Sequence, residues 1–234
     1  CIIIGALWRL RSLKRFRRLE IKTPGYYGEE DELNPELKPL VGLRQSAQKR
    51  VIFIDRDGTL HRDAVNTHRL EDLELLEGVV EGLRKLQEKG FYFIIVSNQD
   101  GIKRGLYGRE EMHSFNMHLL STLRKEGIEY IETIYYSPHK REEDHPSFKP
   151  NCGMFLKAKQ AYQLVLEKTY MIGDQNSDMV AAISAGVQPV FVETGIYAPE
   201  HVRLKAHNGI SIPWFSDFLS AATWICENCE QNKR

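Results

Sequence analysis

At 234 residues with 42% hydrophobic content, the chain is long enough to bury one good core and a small appendage. Thirty-two basic and thirty-two acidic residues balance, which excludes a global field drawing it to nucleic acid or to a membrane surface. No apolar run approaches the ~20 residues of a membrane-spanning helix. The cysteines (Cys1, Cys152, Cys226 and Cys229) are too few and too scattered for a disulfide framework, so a reducing cytoplasm is the expected setting.

The chain opens on Cys1 rather than methionine, as a fragment or a processed product would. Over residues 1–22, Leu7, Leu10, Leu13, Phe16 and Leu19 fall three apart on a background of arginine and lysine. That spacing predicts a basic amphipathic helix, suited to a membrane surface or a partner's groove. The alternatives are the tail of an upstream segment or a helix packed on the main domain. Residues 23–48, with Pro24, Gly25, Pro35, Pro39 and an acidic cluster at Glu29–Glu32, read as a linker or docked arm. The domain proper is expected over 49–222, and a C-terminal tail over 223–234.

Within the domain, Val51–Ile54 is an unbroken β-favouring run, as a strand buried on both faces should be. It ends in Asp55, Asp57 and Gly58, after which 61–70 reads as a polar loop. Val80, Leu83 and Leu86 share one helix face, stopped by Gly90. A second apolar strand over 91–96 ends in Ser97 and Asn98. A helix over 109–126 and a strand over 130–136 follow. Next come a helix over 155–166, a short strand over 170–172 ending in Gly173 and Asp174, a helix over 179–185, and a last strand over 188–192. Strands alternating with helices predict an α/β fold with a doubly wound parallel sheet.

The ends of strands in such a sheet lie on one edge, where ligands bind. There the sequence brings Asp55 and Asp57, then Ser97 and Asn98, then Asp174 and Asp178. In near-extended chain, i and i+2 share a side, so the carboxylates of Asp55 and Asp57 are expected to meet one ligand. Close carboxylates are costly without a cation between them, and a hard, oxygen-loving ion such as Mg²⁺ is the simplest resolution. The alternative is a capped strand end with two solvated acids. Phosphoryl transfer depends on positioning and charge stabilisation, so a lysine is expected near the phosphate oxygens, and Lys149 is the best placed.

Asp-Arg-Asp-Gly-Thr after a strand, Ser-Asn after a second, Lys-Pro before a helix and Gly-Asp-x-x-x-Asp after a late strand resemble the four motifs of the haloacid-dehalogenase (HAD) phosphatases. They occur in order over 51–192. Phe53–Leu60, Ser97–Ile102 and the Ser137-Pro138-His139 loop further resemble the branch of histidinol-phosphate phosphatase and heptose 1,7-bisphosphate phosphatase. The resemblance implies Asp55 as nucleophile, Asp57 as proton donor and then base, and Lys149 as the phosphate-neutralising cation. It implies Mg²⁺ held by Asp55, the Asp57 carbonyl and Asp174 with Asp178 in support, and phosphate oxygens held by Gly58, Ser97 and Asn98. The expected substrate is a small phosphorylated metabolite, with no nucleic acid. The rival readings are a phosphatase acting on nucleic-acid or protein ends and a catalytically idle scaffold.

The chain departs from that branch in two ways. Its zinc loop, Cys-x-His then Cys-x-Cys, here reads Ser137-Pro138-His139 then His145-Pro146-Ser147, so zinc is not expected. The arginine that would read a second substrate charge is Phe148, which predicts a monophosphate preferred over a bisphosphate, with Lys103 or Arg104 as the possible substitutes. Cys226 and Cys229 make only half a metal site. The intervals between motifs are too short for a full cap domain, which leaves substrate recognition to loops 61–68, 100–108 and 137–148.

Overall fold

The computed structural model describes residues 50–196, 206–207 and 210–229. The amphipathic helix expected over 1–22 and the linker over 23–48 lie outside the described residues.

The central sheet contains β1 (Val51–Ile54), β2 (Tyr92–Asn98), β3 (Ile131–Ser137), β4 (Tyr170–Gly173) and β5 (Gln188–Val192). Between and after them run α1 (Val79–Glu88), α2 (Arg109–Lys125), α3 (Gly153–Tyr162), α4 (Asn176–Ala185) and α5 (Phe218–Asn228). Three short strands follow β5: β6 (Ala206–His207), β7 (Ile210–Ser211) and β8 (Trp214–Phe215). The sheet order is β3-β2-β1-β4-β5-β8 with every pairing parallel, while β6 and β7 form a separate antiparallel pair.

The period of two in the strands sorts the core into two layers. Ile52, Ile54, Phe93, Ile95 and Ile172 join Val79, Leu83 and Leu86 of α1, Leu119 and Leu123 of α2, and Phe218 and Ile225 of α5. Val51, Phe53, Ile94, Val96 and Met171 face the other way, onto Phe155 of α3 and Met179 of α4. The doubly wound sheet expected from the sequence is therefore present. No helix among the described residues is long and apolar enough to cross a membrane.

Some boundaries differ from the expectation. Ser97 and Asn98 are the last residues of β2 rather than a loop after it. Asn176–Ala185 is helical, so Asp178 lies in the first turn of α4 instead of ahead of it. The boundary placed at 222 falls inside α5, whose Ile225 is fully buried, a contribution of roughly 1.5–3 kcal/mol. Strands β6 to β8 were not expected, and 188–192 is not the last strand.

Winding runs from β1 through α1 to β2 on one side, and returns through α3 to β4 on the other. The chain thus reverses direction at the boundary between β1 and β4. Such a switch point leaves a crevice at the carboxyl ends of the strands.

Candidate active site

Asp55 follows β1 directly, its N–H donating to the Ile172 carbonyl of β4 at 2.9 Å. Asp174 follows β4, and Asp178 sits on the first turn of α4, its Oδ2 accepting from the Gln175 N–H at 3.1 Å. Asp55, Asp174 and Asp178 are buried, and each offers an oxygen within 4.8 Å of the others. Into this trio reaches Lys149, 2% exposed, with Nζ 2.5 Å from Asp55 Oδ1, 2.6 Å from Asp178 Oδ1 and 2.8 Å from the Val96 carbonyl. The Asp178 contact is ionic and lies off the hydrogen-bond direction, leaving Oδ1 without a well-aligned donor.

One ammonium among three carboxylates leaves the cluster short of positive charge. Burial pushes the Asp55 carboxyl up to about 7; Lys149 opposes that, while Asp178 and Asp57 add to it. Asp174 is likewise pushed well above the carboxylate range, by burial and then by Asp55 and Asp178. Burial works against the Lys149 ammonium, but Asp178 and Asp55 outweigh it and hold its pKa above the ordinary lysine value. A divalent cation would relieve this imbalance, and an all-oxygen donor set suits Mg²⁺. The local backbone is cut to fit. Gly58 has φ +80°, and a Cβ there would lie 2.7 Å from Asp174 Oδ2, so both its conformation and its surroundings demand glycine.

The carboxylate of Asp57 is not in the trio and has its own set of partners. Arg56, only 1% exposed, turns back on its neighbour. Its Nε and Nη2 grip Asp57 Oδ2 and Oδ1 at 2.9 and 2.8 Å. Ser97 Oγ at 3.2 Å and Gln99 Nε2 at 2.9 Å also donate to Oδ2, and His61 Nε2 stands 3.4 Å from Oδ1, too long for a strong bond. Burial alone would raise Asp57, but Arg56 and His61 together hold it well below the usual carboxylate range. This leaves the main-chain carbonyl as what Asp57 would offer an ion.

Two expected phosphate contacts have partners within the protein. Asn98 Nδ2 donates to the Lys149 carbonyl and its Oδ1 accepts from the Lys149 N–H, both at 2.9 Å, so this side chain braces the lysine loop. The Gly58 N–H is used by the His61 carbonyl, which leaves it no donor for phosphate; what Gly58 supplies is room for Asp174.

A cleft of about 330 Å³ adjoins these groups, its lining including Asp57, Asn98, Lys149, Val65, Tyr107 and Phe148. Two guanidinium groups, Arg104 and Arg141, line it as well. Arg104 is held only loosely, by Asp100 at 3.5 Å, whereas Lys103 turns to Glu143 at 2.6 Å and is not among the lining residues. In the loop that departs from the zinc pattern, the side chains touch one another. The His139 and His145 rings stack with centroids 3.4 Å apart, His145 Nδ1 meets Ser147 Oγ at 2.7 Å, and Ser147 Oγ meets Ser137 Oγ at 2.9 Å.

Sequence reasoning missed Arg56, His61, Gln99 and Thr59, whose hydroxyl donates to Asp174 Oδ1 at 2.9 Å. It also missed the turn after β5. There Thr194 Oγ1 donates to the Gly58 carbonyl at 2.6 Å, and Gly195 lies so close to Asp174 that a Cβ would overlap its carboxylate. The arginine was the most findable of these. A charge between two acids at the end of a buried strand needs an adjacent partner, and Asp57 is the nearest.

The HAD-hydrolase-like family model matches residues 148–213. The D-glycero-beta-D-manno-heptose-1,7-bisphosphate 7-phosphatase of Haemophilus ducreyi is 34% identical over 154 residues, 63% of this chain and 85% of the relative. The D-glycero-D-manno-heptose-1,7-bisphosphate 7-phosphatase of Thermosynechococcus vestitus is 31% identical over 187 residues, 75% of this chain and 94% of the relative. Among solved structures, the D,D-heptose 1,7-bisphosphate phosphatase of B. bronchiseptica, complexed with magnesium and phosphate, superposes with a TM-score of 0.70. That match is at 22% identity and covers 76% of this chain and 99% of the other, so it speaks to the fold. The relatives named carry the heptose activity; the histidinol-phosphate side of the resemblance is a different branch and is set aside, as is the idle scaffold. With the identities, the coverage and the fold in agreement, the chain belongs to the HAD-like phosphatases, in the branch that these heptose bisphosphate phosphatases represent.

Proposed function

We propose that the chain hydrolyses a phosphate monoester of a small sugar, of the heptose 1,7-bisphosphate type, through an aspartyl-phosphate on Asp55. The observation that carries this reading is the convergence of Asp55, Asp174 and Asp178 on Lys149, which with Asp57 also lines the cleft. A carboxylate oxygen of Asp55 attacks phosphorus and the ester P–O bond breaks; the departing oxygen takes a proton from Asp57, which is ionised in the free site and picks up that proton when the phosphate's negative charge binds beside it. Asp57, now ionised, takes a proton from water, which attacks the same phosphorus and returns Asp55 as a carboxylate with inorganic phosphate. Lys149 faces the charge that accumulates on the phosphoryl oxygens, while the Ser97 hydroxyl is held on Asp57. Mg²⁺, held by Asp55, Asp174, the Asp57 carbonyl and, in support, Asp178, would supply charge neutralisation at the phosphoryl group.

Turnover of 4-nitrophenyl phosphate is expected with Mg²⁺ and is expected to fall at least a hundredfold in EDTA, with recovery when Mg²⁺ is returned. Undiminished hydrolysis in EDTA would remove the metal from this reading.

A second phosphate on the substrate would fall near Arg104 and Arg141, which line the cleft, but with Phe148 in place of an arginine the monophosphate is the expected preference. Phe148 offers that phosphate an apolar face where a guanidinium would offer two aligned donors. Phe148→Arg is therefore expected to raise kcat/KM for the bisphosphate relative to the matching monophosphate by roughly tenfold to a hundredfold, the scale of one charge-assisted contact. Measuring both substrates on both proteins checks it, and an unchanged ratio counts against Phe148 as a specificity residue.

A further inference from the structure

We propose that Tyr107 is a positioning residue for Asp57, acting through Gln99: its hydroxyl fixes the Gln99 amide so that a donor stays aimed at the carboxylate. The inference rests on the reading of Asp57 as proton donor and adds the device that keeps it in place.

Tyr107 OH donates to Gln99 Oε1 at 2.7 Å. With that oxygen engaged, Gln99 Nε2 faces the opposite way, 2.9 Å from Asp57 Oδ2 and 2.8 Å from Ser97 Oγ. Gln99 is 3% and Tyr107 7% exposed, so water does little to replace either partner. The two ends of a glutamine amide are almost equal in shape, and only their partners decide the orientation. With Oε1 held by the phenol O–H, the donor end of the amide is the end that faces Asp57. Reversal would turn Nε2 toward the phenol and take from its buried O–H the acceptor it now has.

The tyrosine ring is itself fixed from two sides. It stacks on His68 with centroids 4.6 Å apart and planes at 14°, and His68 Nδ1 lies 2.7 Å from the Asn66 carbonyl in its own loop. On the other side Gly101 lies so close that a Cβ would be 2.2 Å from the ring. The loop after β1 and the turn after β2 therefore meet on Tyr107, and the hydroxyl passes their relative position to Asp57. Tyr107 makes its hydrogen bond to Gln99 and not to the trio or its lysine, which is why its effect is expected only where Asp57 acts.

The test uses the leaving group. A nitrophenolate departs readily without a proton, whereas the alkoxide of a sugar phosphate needs one. Tyr107→Phe keeps the ring and its stack and removes only the hydroxyl. For the sugar phosphate, kcat/KM is expected to fall about tenfold, a part of the roughly 10²–10⁴ that positioned proton transfer contributes. For 4-nitrophenyl phosphate the loss is expected to be less than threefold. Gln99→Met, which removes both ends of the amide at similar volume, is expected to show the same selective loss. Asp57→Asn run in parallel, read as the single-turnover rate of phosphoryl-enzyme formation so that its part in the later hydrolysis does not enter, separates the two possible failures. If it loses equally on both substrates, Asp57 is not the proton donor, and the proposal falls with that reading. If it is selective while Tyr107→Phe and Gln99→Met lose equally on both substrates, or on neither, this proposal alone is overturned.

Discussion

Asp55→Asn is expected to abolish turnover, by about four orders of magnitude or more, the scale on which loss of a covalent nucleophile acts. A carboxamide has no charged oxygen to form the acyl phosphate. The same change has an opposite effect on stability, and its sign follows from the environment. Burial raises the Asp55 carboxyl from 3.8 to about 7, so the folded state binds a proton more tightly than the unfolded chain does. Stability from this group is therefore highest at low pH and is lost as pH rises from about 4 to about 7, at most about 4 kcal/mol in the absence of a cation. Asparagine carries no charge at any of these pH values. The metal-free variant is expected to melt above the metal-free wild type at pH 8, and the two are expected to converge near pH 4. Mg²⁺ is expected to reverse the order by binding the wild type more tightly, since saturation at a hundred times Kd adds about 2.7 kcal/mol. Rapid-quench trapping supplies the complementary result: Asp57→Asn should still label with phosphate and Asp55→Asn should not. Activity of Asp55→Asn within tenfold of wild type would remove Asp55 as the nucleophile.

The sheet and its catalytic edge were legible because each signal was local and repeated. Val51–Ile54 could be read as a doubly buried strand from four residues, and the acids that end it announced the ligand edge. Asp174 and Lys149 were legible for the same reason: each follows or precedes an element of clear period. What the sequence hid was mostly the direction in which side chains point. Spacing put the carboxylates of Asp55 and Asp57 on one side. Arg56, folded back between them with Asn116 Oδ1 on its Nη1 at 2.8 Å and the Phe115 ring 4.8 Å away, draws the Asp57 carboxylate to a different set of partners. That pairing depends on α2, and no local pattern reports it. Asn98 is similar: one N–H and the oxygen of its amide are used by a loop fifty-one positions away. Helix α5 is a different kind of miss. Asp217 caps it, accepting from the Ser220 N–H at 2.7 Å, and Phe218, Ala221, Ala222 and Ile225 follow at helical spacing. Those signals were readable. Strand β8, with only Trp214 and Phe215, is too short to show a period and exists because β5 offers it an edge.

Lys149→Met is expected to lower kcat/KM by about 10²–10³, the cost of removing one preorganised charge from the developing phosphoryl anion. Methionine matches the stem in length and apolar character, so the change isolates the ammonium. The loss should extend to 4-nitrophenyl phosphate, because the charge lies on the phosphoryl oxygens whichever group departs; this sets it apart from the selective loss expected at Tyr107. The same substitution leaves Asp55 and Asp178 buried without the cation that lies 2.5 and 2.6 Å from them. Breaking a buried ion pair from one side costs about 3–5 kcal/mol, and the crowding with Asp174 places this site toward the upper end. That cost depends on the carboxylates being ionised. The lysine pKa is raised in the folded protein, so the ammonium persists through the whole neutral range and its contribution is lost only in strong base. The Asp55 carboxyl does titrate, pushed up to about 7 by burial, so protonating it removes the repulsion that the missing lysine no longer screens. Urea unfolding of metal-free protein is therefore expected to show a larger deficit for Lys149→Met at pH 8 than at pH 5, with Mg²⁺ narrowing the pH 8 deficit by supplying positive charge to the same oxygens. Arginine is not expected to rescue activity at this position, because its planar fork is too wide for a site built around one compact ammonium with the Val96 carbonyl behind it. Activity of Lys149→Met within tenfold of wild type, or a stability deficit that does not change with pH, would show that the lysine holds the loop rather than the phosphate.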